Sequence, residues 1–297
     1  MARGHRGSLA VVLTLALAGC TATGSGASST STAPPSTTST IIPTTTTTIG
    51  ATTTSVAEAS TTSLEFGIDG EVVVPDGDGA FPAVVLVHGG GWVSGDTAIM
   101  RPLADFLNEN GYLTVNTEYQ LSTRDFPGYP GAVEDVACAV RYAASHPDGD
   151  GTVTVIGHSA GAHIGALVAL TGDDYIGDCP YSGTGVPNRF VGLAGPYDVS
   201  RLGLAIIAFF GATPQTDPDS WAVGNPLELT DENLELDSLI MYGDEDGLVA
   251  DDFAVQFHNA LAASGSTSVL EVVEGARHNE MHYPALVGDL IVTWLER

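Results

Sequence analysis

Lysine is absent from this 297-residue chain. All nine basic side chains are Arg, set against 36 Asp plus Glu, for a formal net charge of −27. A surface of that sign repels phosphate backbones, which argues against nucleic acid as a partner. The missing Lys also excludes a complete P-loop. No apolar run reaches the roughly 18 residues needed to cross a bilayer as a helix. Cysteine is scarce: there are three, and no C-x-x-C pair. That leaves no thiolate metal site to propose, and no other metal or cofactor is implied. No internal repeat of 20–50 residues is visible.

Residues 21–63 lack nearly everything a core requires. They hold 17 Thr and 9 Ser among 43 positions, with Glu58 as the one charge. Such a stretch cannot bury enough apolar surface to offset its ordering entropy, and disorder is expected. Ahead of it, Arg3 and Arg6 precede a short apolar segment, 8–18, that ends Leu17-Ala18-Gly19-Cys20. A basic start followed by a short apolar run is the pattern of a secretory signal. The tetrapeptide resembles the bacterial lipobox, in which the Cys thiol takes a diacylglyceryl group and becomes the new N-terminus. The expected organisation is a signal peptide over 1–19, a tether over 20–63 lipid-linked at Cys20, and a folded domain over 64–297. The expected location is extracytoplasmic, with the membrane engaged only through the lipid. Two acyl chains anchor stably where one does not, and a coil of this length spans about 35–40 Å r.m.s..

Residues 64–297 carry 7 Arg against 35 Asp plus Glu and are long enough for one large core. Strand and helix patterns alternate along them. Short strands are expected at 64–66 and 71–74, then a buried strand at 83–87, a helix at 97–110 and a strand at 113–116. A helix at 133–145, a strand at 152–156 and a helix at 160–170 follow. Strands at 190–193, 239–242 and 269–273 and helices at 248–263 and 284–295 complete the series. This βα alternation with apolar strands predicts an α/β fold, a mostly parallel sheet covered by helices on both faces.

The strand at 152–156 runs into Gly157-His158-Ser159-Ala160-Gly161, and a helix follows. That is G-x-S-x-G in the strand–turn–helix context that strains a nucleophile into exposure. The strand at 83–87 ends in His88-Gly89-Gly90-Gly91-Trp92. A glycine run there lets backbone N–H groups approach a ligand. It matches an oxyanion loop in which Gly90 and Gly91 act with the N–H of Ala160. His88 itself reads as structural. A serine needs a base, and the base an orienting acid, in the chain order Ser, acid, His. Two loops at strand ends offer them: Gly243-Asp244-Glu245-Asp246-Gly247 and Glu274-Gly275-Ala276-Arg277-His278. The acidic run does not have the spacing of an EF-hand calcium loop. His282 is a weaker base candidate, His163 reads as packing or hydrogen bonding, and Trp92 as pocket lining or core.

With these motifs in place, residues from about 66 to 297 resemble an α/β-hydrolase of the esterase/lipase type. The branch is that of bifunctional acetylxylan/feruloyl esterase-like proteins and hormone-sensitive-lipase-like carboxylesterases. Supporting pieces are Gly95-Asp96 after the glycine loop, Tyr119-Gln120-Leu121, Glu134-Asp135-Val136, Ala162-His163 and Gly195-Pro196-Tyr197-Asp198. The resemblance implies Ser159 as nucleophile, selects Asp246 as the acid, and makes His278 the base. Where the family carries Arg between Tyr and Leu, this chain has Gln120, which puts a structural salt bridge in doubt. The resemblance further implies a small-molecule ester substrate, in some members carbohydrate-linked, hydrolysed through an acyl-enzyme, and a cap between the strands at 190–193 and 239–242. That segment, about 194–238, is interrupted by Pro196, Pro214, Pro218 and Pro226 with only 202–210 apolar enough for a helix, so a short cap and short-chain esters are expected. An amidase or arylformamidase shares the same triad. A catalytically inactive binding module of this fold is the non-enzyme alternative, but it would be expected to have lost a triad member. In an oxidising compartment Cys138 and Cys179 are free to form a disulfide, worth about 4 kcal/mol in the chain-entropy model; the alternative is two buried thiols.

Overall fold

The computed structural model describes residues 60–64, 68–203 and 206–297. Cys20, the signal-like segment and the tether up to residue 59 lie outside them. Among the described residues one sheet of eight strands runs in the order β1-β2-β4-β3-β5-β6-β7-β8. Its strands are β1 (Ser60–Leu64), β2 (Ile68–Val73), β3 (Phe81–Val87), β4 (Leu113–Thr117), β5 (Gly149–His158), β6 (Arg189–Leu193), β7 (Asp237–Gly243) and β8 (Thr267–Val273). β1 and β2 pair antiparallel, β2 pairs antiparallel with β4, and all later pairings are parallel. The helices are α1 (Arg101–Glu109), α2 (Gly131–Ser145), α3 (Ala160–Thr171), α4 (Ile207–Phe210), α5 (Pro218–Val223), α6 (Asp251–Ser264) and α7 (Pro284–Leu295).

The period-2 alternation of β3 divides the interior in two. Ala83, Val85 and Val87 enter one core with α2, α3 and α6, whereas Val84 and Leu86 enter the other with α1 and α7. Both faces of the parallel strands are therefore covered, which is why β3 reads as an unbroken apolar run. This is the α/β-hydrolase arrangement.

Three features depart from the sequence reading. The sheet begins at Ser60, four residues inside the stretch expected to be a disordered tether. Ser60–Leu64 pairs in register with Ile68–Val72 of β2, and β-branched Thr, common in that tract, suits a strand. The helix expected over 97–110 is a 3-10 turn, Thr97–Ile99, followed by α1. Pro102 in the first turn of α1 lacks an N–H, so a helix begins well at Arg101 but cannot run through it unbroken. Between β6 and β7, α5 was not foreseen, although Asp217 caps it by accepting from Ser220 N and Pro218 opens it.

Cys138 of α2 and Cys179 are disulfide-bonded. The loop that Cys179 belongs to is also held by Arg141, one turn further along α2. This buried guanidinium donates to the carbonyl oxygens of Tyr175 (2.9 Å), Gly172 (3.2 Å) and Gly183 (3.2 Å). Three carbonyl partners and Asp173 at 3.6 Å explain how a charge survives with 4 % exposure.

Candidate active site

Parallel strands gather their following loops at one end of the sheet, and the singled-out residues collect there. β5 delivers Ser159, which begins α3 with φ 54° and ψ −118°. A non-glycine residue in the left-handed region is strained by about 1–2 kcal/mol. The geometry around the turn shows what holds it. A side chain on Gly157 would collide with the backbone of Gly161, and one on Gly161 with the carbonyl groups of Val87 and His88. Only glycine lets strand, turn and helix approach so closely. The Ser159 N–H donates to Leu193 O at 2.9 Å, pinning the turn to the end of β6.

β8 delivers His278. Its Nε2 lies 2.8 Å from Ser159 Oγ, and its Nδ1 lies 2.8 Å from Asp246 Oδ2. β7 delivers Asp246, whose side chain is 2 % exposed. The other oxygen of Asp246 accepts from the N–H groups of Leu248 (2.8 Å) and Val249 (2.9 Å). Two backbone donors and the imidazole N–H fix the orientation of this carboxylate. Nearby Asp244 points elsewhere and accepts from Gly275 N at 2.6 Å, tying the β7 loop to the β8 loop. Glu245 pairs with Arg277 at the surface. Ser159 O–H donates to His278 Nε2; His282 instead packs its ring, tilted, 4.9 Å from that of His158.

β3 delivers the glycine loop. Gly90 (φ 133°), Gly91 (φ 61°) and Trp92 (φ 64°) turn consecutively through the positive-φ region. The carbonyl of Gly90 is occupied by Val93 and Ser94 N–H groups at 3.3 and 3.1 Å. A side chain on Gly89 would sit 3.2 Å from Ser159 Cβ, so this loop lies directly against the serine. Ala160 opens α3, where an N–H has no acceptor within the helix. Gly89 and Ala160 thus bring the glycine loop and the start of α3 together next to Ser159.

His88 packs beneath the glycine loop as a structural residue. His88 is fully buried, stacks on Tyr119 at 4.4 Å, and sits 3.2 Å from Glu118 Oε2. Tyr119 OH donates to His88 O at 3.0 Å. Burial alone would raise the pKa of Glu118, but contacts from His88 and the Thr97 N–H outweigh it and hold the carboxylate below its usual range. Gln120, where an arginine was looked for, turns its side chain to Pro127 O (2.7 Å). Its backbone N–H donates to Asp135 Oδ2 (2.8 Å). Burial, with no cation in contact, pushes Asp135 up to about 6.

One support was not legible as such: His158 Nε2 meets the carbonyl of His278 at 2.9 Å. His163, read as packing or hydrogen bonding, does bond, linking Trp92 to Gly224. The positions are visible in sequence, one before and four after Ser159, but their partners come from distant loops.

A family model described as BD-FAE matches residues 71–261. Esterase LipC of Mycobacterium tuberculosis is 31 % identical over 124 residues, which is 39 % of this chain and 30 % of that protein. The chain thus spans less than a third of that relative's length. Among solved structures, a truncated carbohydrate esterase from gut microbiota superposes with a TM-score of 0.66 at 19 % identity, covering 80 % of this chain and 94 % of that one. An acetyl ester-xyloside bifunctional hydrolase from Caldicellulosiruptor lactoaceticus gives 0.67 at 18 % identity, over 79 % and 89 %.

Proposed function

The chain belongs to the BD-FAE family, and from that membership we propose that it is a serine hydrolase cleaving short-chain carboxylic esters. The observation that carries the reading is the unbroken relay Ser159–His278–Asp246, with both links at 2.8 Å, on a strained turn. Ser159 Oγ attacks the ester carbonyl while His278 Nε2 takes its proton. Asp246 keeps the Nδ1 tautomer in place and stabilises the imidazolium. The tetrahedral oxyanion accepts hydrogen bonds from Gly90, Gly91 and Ala160 N–H groups. Collapse releases the alcohol, which takes the proton back from His278. Water then attacks the acyl-enzyme by the same route and frees the acid.

The names of the structural neighbours favour small acyl groups on a carbohydrate as the substrate. On sequence grounds we also place the domain outside the cell, held by a lipid on Cys20. Cys20→Ser should move the protein from the membrane fraction to the soluble one, and retention in the membrane would refute the anchor.

Ser159→Ala tests the mechanism. It should lower kcat by at least about 10³-fold, leave the unfolding temperature unchanged, and abolish labelling by a fluorophosphonate probe. A folded Ser159→Ala protein with full turnover would overturn the proposal.

A further inference from the structure

Trp92 occupies an awkward position. It directly follows Gly90 and Gly91 and is itself held at φ 64°, a conformation that strains any residue with a Cβ. Something must hold it there. Its backbone carbonyl accepts from Ser122 N at 2.7 Å, and its ring packs 5.8 Å from that of Phe209. Its indole N–H donates to Nδ1 of His163 at 3.2 Å. The other nitrogen of that ring, Nε2, lies 3.0 Å from Gly224 O, just past α5.

Only one proton arrangement satisfies both contacts. An indole N–H can only donate, so Nδ1 must be bare. A backbone carbonyl can only accept, so Nε2 must carry the proton. The ring is 0 % exposed and burial pushes its pKa down to about 4, which keeps that neutral tautomer in place. His163 lies four residues after Ser159, one turn along the same face of α3. A single imidazole therefore joins the nucleophile's helix, the glycine loop and the segment between β6 and β7.

We propose that His163 is a positioning residue for the oxyanion site: it fixes Trp92, and through Trp92 the N–H groups of Gly90 and Gly91, relative to Ser159. This rests on the serine-hydrolase reading above. Donors that act on charge formed only in the transition state raise kcat, not ground-state binding. Loosening the loop should therefore appear in kcat while KM stays nearly constant.

The side-chain amides separate the two contacts. In His163→Asn the amide oxygen stands near the place of Nδ1 and still accepts from Trp92, but Gly224 is out of reach. In His163→Gln the amide nitrogen reaches toward Gly224 and the acceptor for Trp92 is lost. Trp92→Phe keeps a ring against Phe209 and removes only the N–H. The experiment measures kcat and KM on nitrophenyl acetate, with thermal unfolding, for these three variants and for Trp92→Phe/His163→Gln. His163→Gln and Trp92→Phe should each lower kcat about 10- to 100-fold with KM within about 3-fold. The double variant should be no worse than the poorer single variant by more than about 3-fold, since both remove one link. His163→Asn should recover kcat to within about 5-fold of wild type. Additive losses, a loss carried by KM, or Asn as damaging as Gln would each overturn the proposal. If His163→Gln does not fold, Trp92→Phe decides alone: wild-type kcat in that variant overturns it. Failure of the underlying reading is seen separately, as a wild-type protein that a fluorophosphonate does not label.

Discussion

His158, the residue just before Ser159, donates its Nε2–H to the backbone carbonyl of His278 across 2.9 Å. Burial first, and the neighbouring His278 second, push the His158 ring down to about 3. The end of β5 thus supports the loop that carries His278, independently of the Ser159–His278 contact.

Removing that donor should loosen the base without touching it. His158→Phe keeps a ring of similar size and leaves the His278 carbonyl only the Met281 N–H, at 3.3 Å. We expect kcat to fall about 10-fold or more and the protein to remain folded. Steady-state kinetics with circular dichroism check this; an unchanged kcat contradicts the support.

Asp246 and Asp244 offer a matched pair of substitutions on one loop. Asp246→Asn favours the wrong imidazole tautomer, and kcat should fall by about 10³–10⁴. Asp244→Asn keeps an oxygen for Gly275 N and should cost less than about 3-fold. Reversal of that order in a kcat comparison would reassign the acid.

Stability should depend on pH in two opposed ways. His158 and His163 have folded pKa values of about 3 and about 4, below the usual 6.5. As pH falls below 6.5 the unfolded chain takes up protons that the folded chain refuses, so stability declines toward those values. Asp135, raised to about 6 from 3.8, works in the other direction. Its contribution is present below 3.8 and is lost as pH rises through 6. Asp135→Asn, whose amide oxygen can still accept from Gln120, should therefore stabilise the protein by about 1–2 kcal/mol at pH 7.5 and not at all near pH 4. Urea unfolding at the two pH values reads the difference; a destabilised variant at pH 7.5 rules the account out.

The insertion between β6 and β7 should limit the acyl group. Its helices are short, four residues in α4 and six in α5. Their large side chains, Phe209, Phe210 and Trp221, are turned inward and buried. Little is left to wall a long acyl tunnel, so each added methylene should gain well under the about 0.8 kcal/mol of full burial. Across nitrophenyl esters, kcat/KM should peak between acetate and hexanoate. A steady rise to palmitate contradicts this.

The fold and the proposed triad were legible because their signals are local and ordered. β3 announces itself as a five-residue apolar run, Ser159 by small neighbours on a strand–helix turn, and His278 by its place after a strand. What stayed hidden depends on partners distant in sequence. Nothing near Arg141 indicates that its guanidinium will collect carbonyls from residues 172, 175 and 183. Nothing near His163 points to Trp92, 71 positions earlier. α5 is a different case. Asp217-Pro218 is a sound helix start, but six residues are too few for a periodic pattern to emerge.

The direction of β1 sets how the domain presents itself. Because two antiparallel pairings separate it from β4, β1 points the same way as the parallel strands. It starts level with the middle of β4, since Ser60 pairs with Val72 and Val72 with Val115, and it runs on beyond Thr117. The antiparallel edge therefore reaches toward the carboxyl ends of the parallel strands, the end at which Ser159, Asp246 and His278 open.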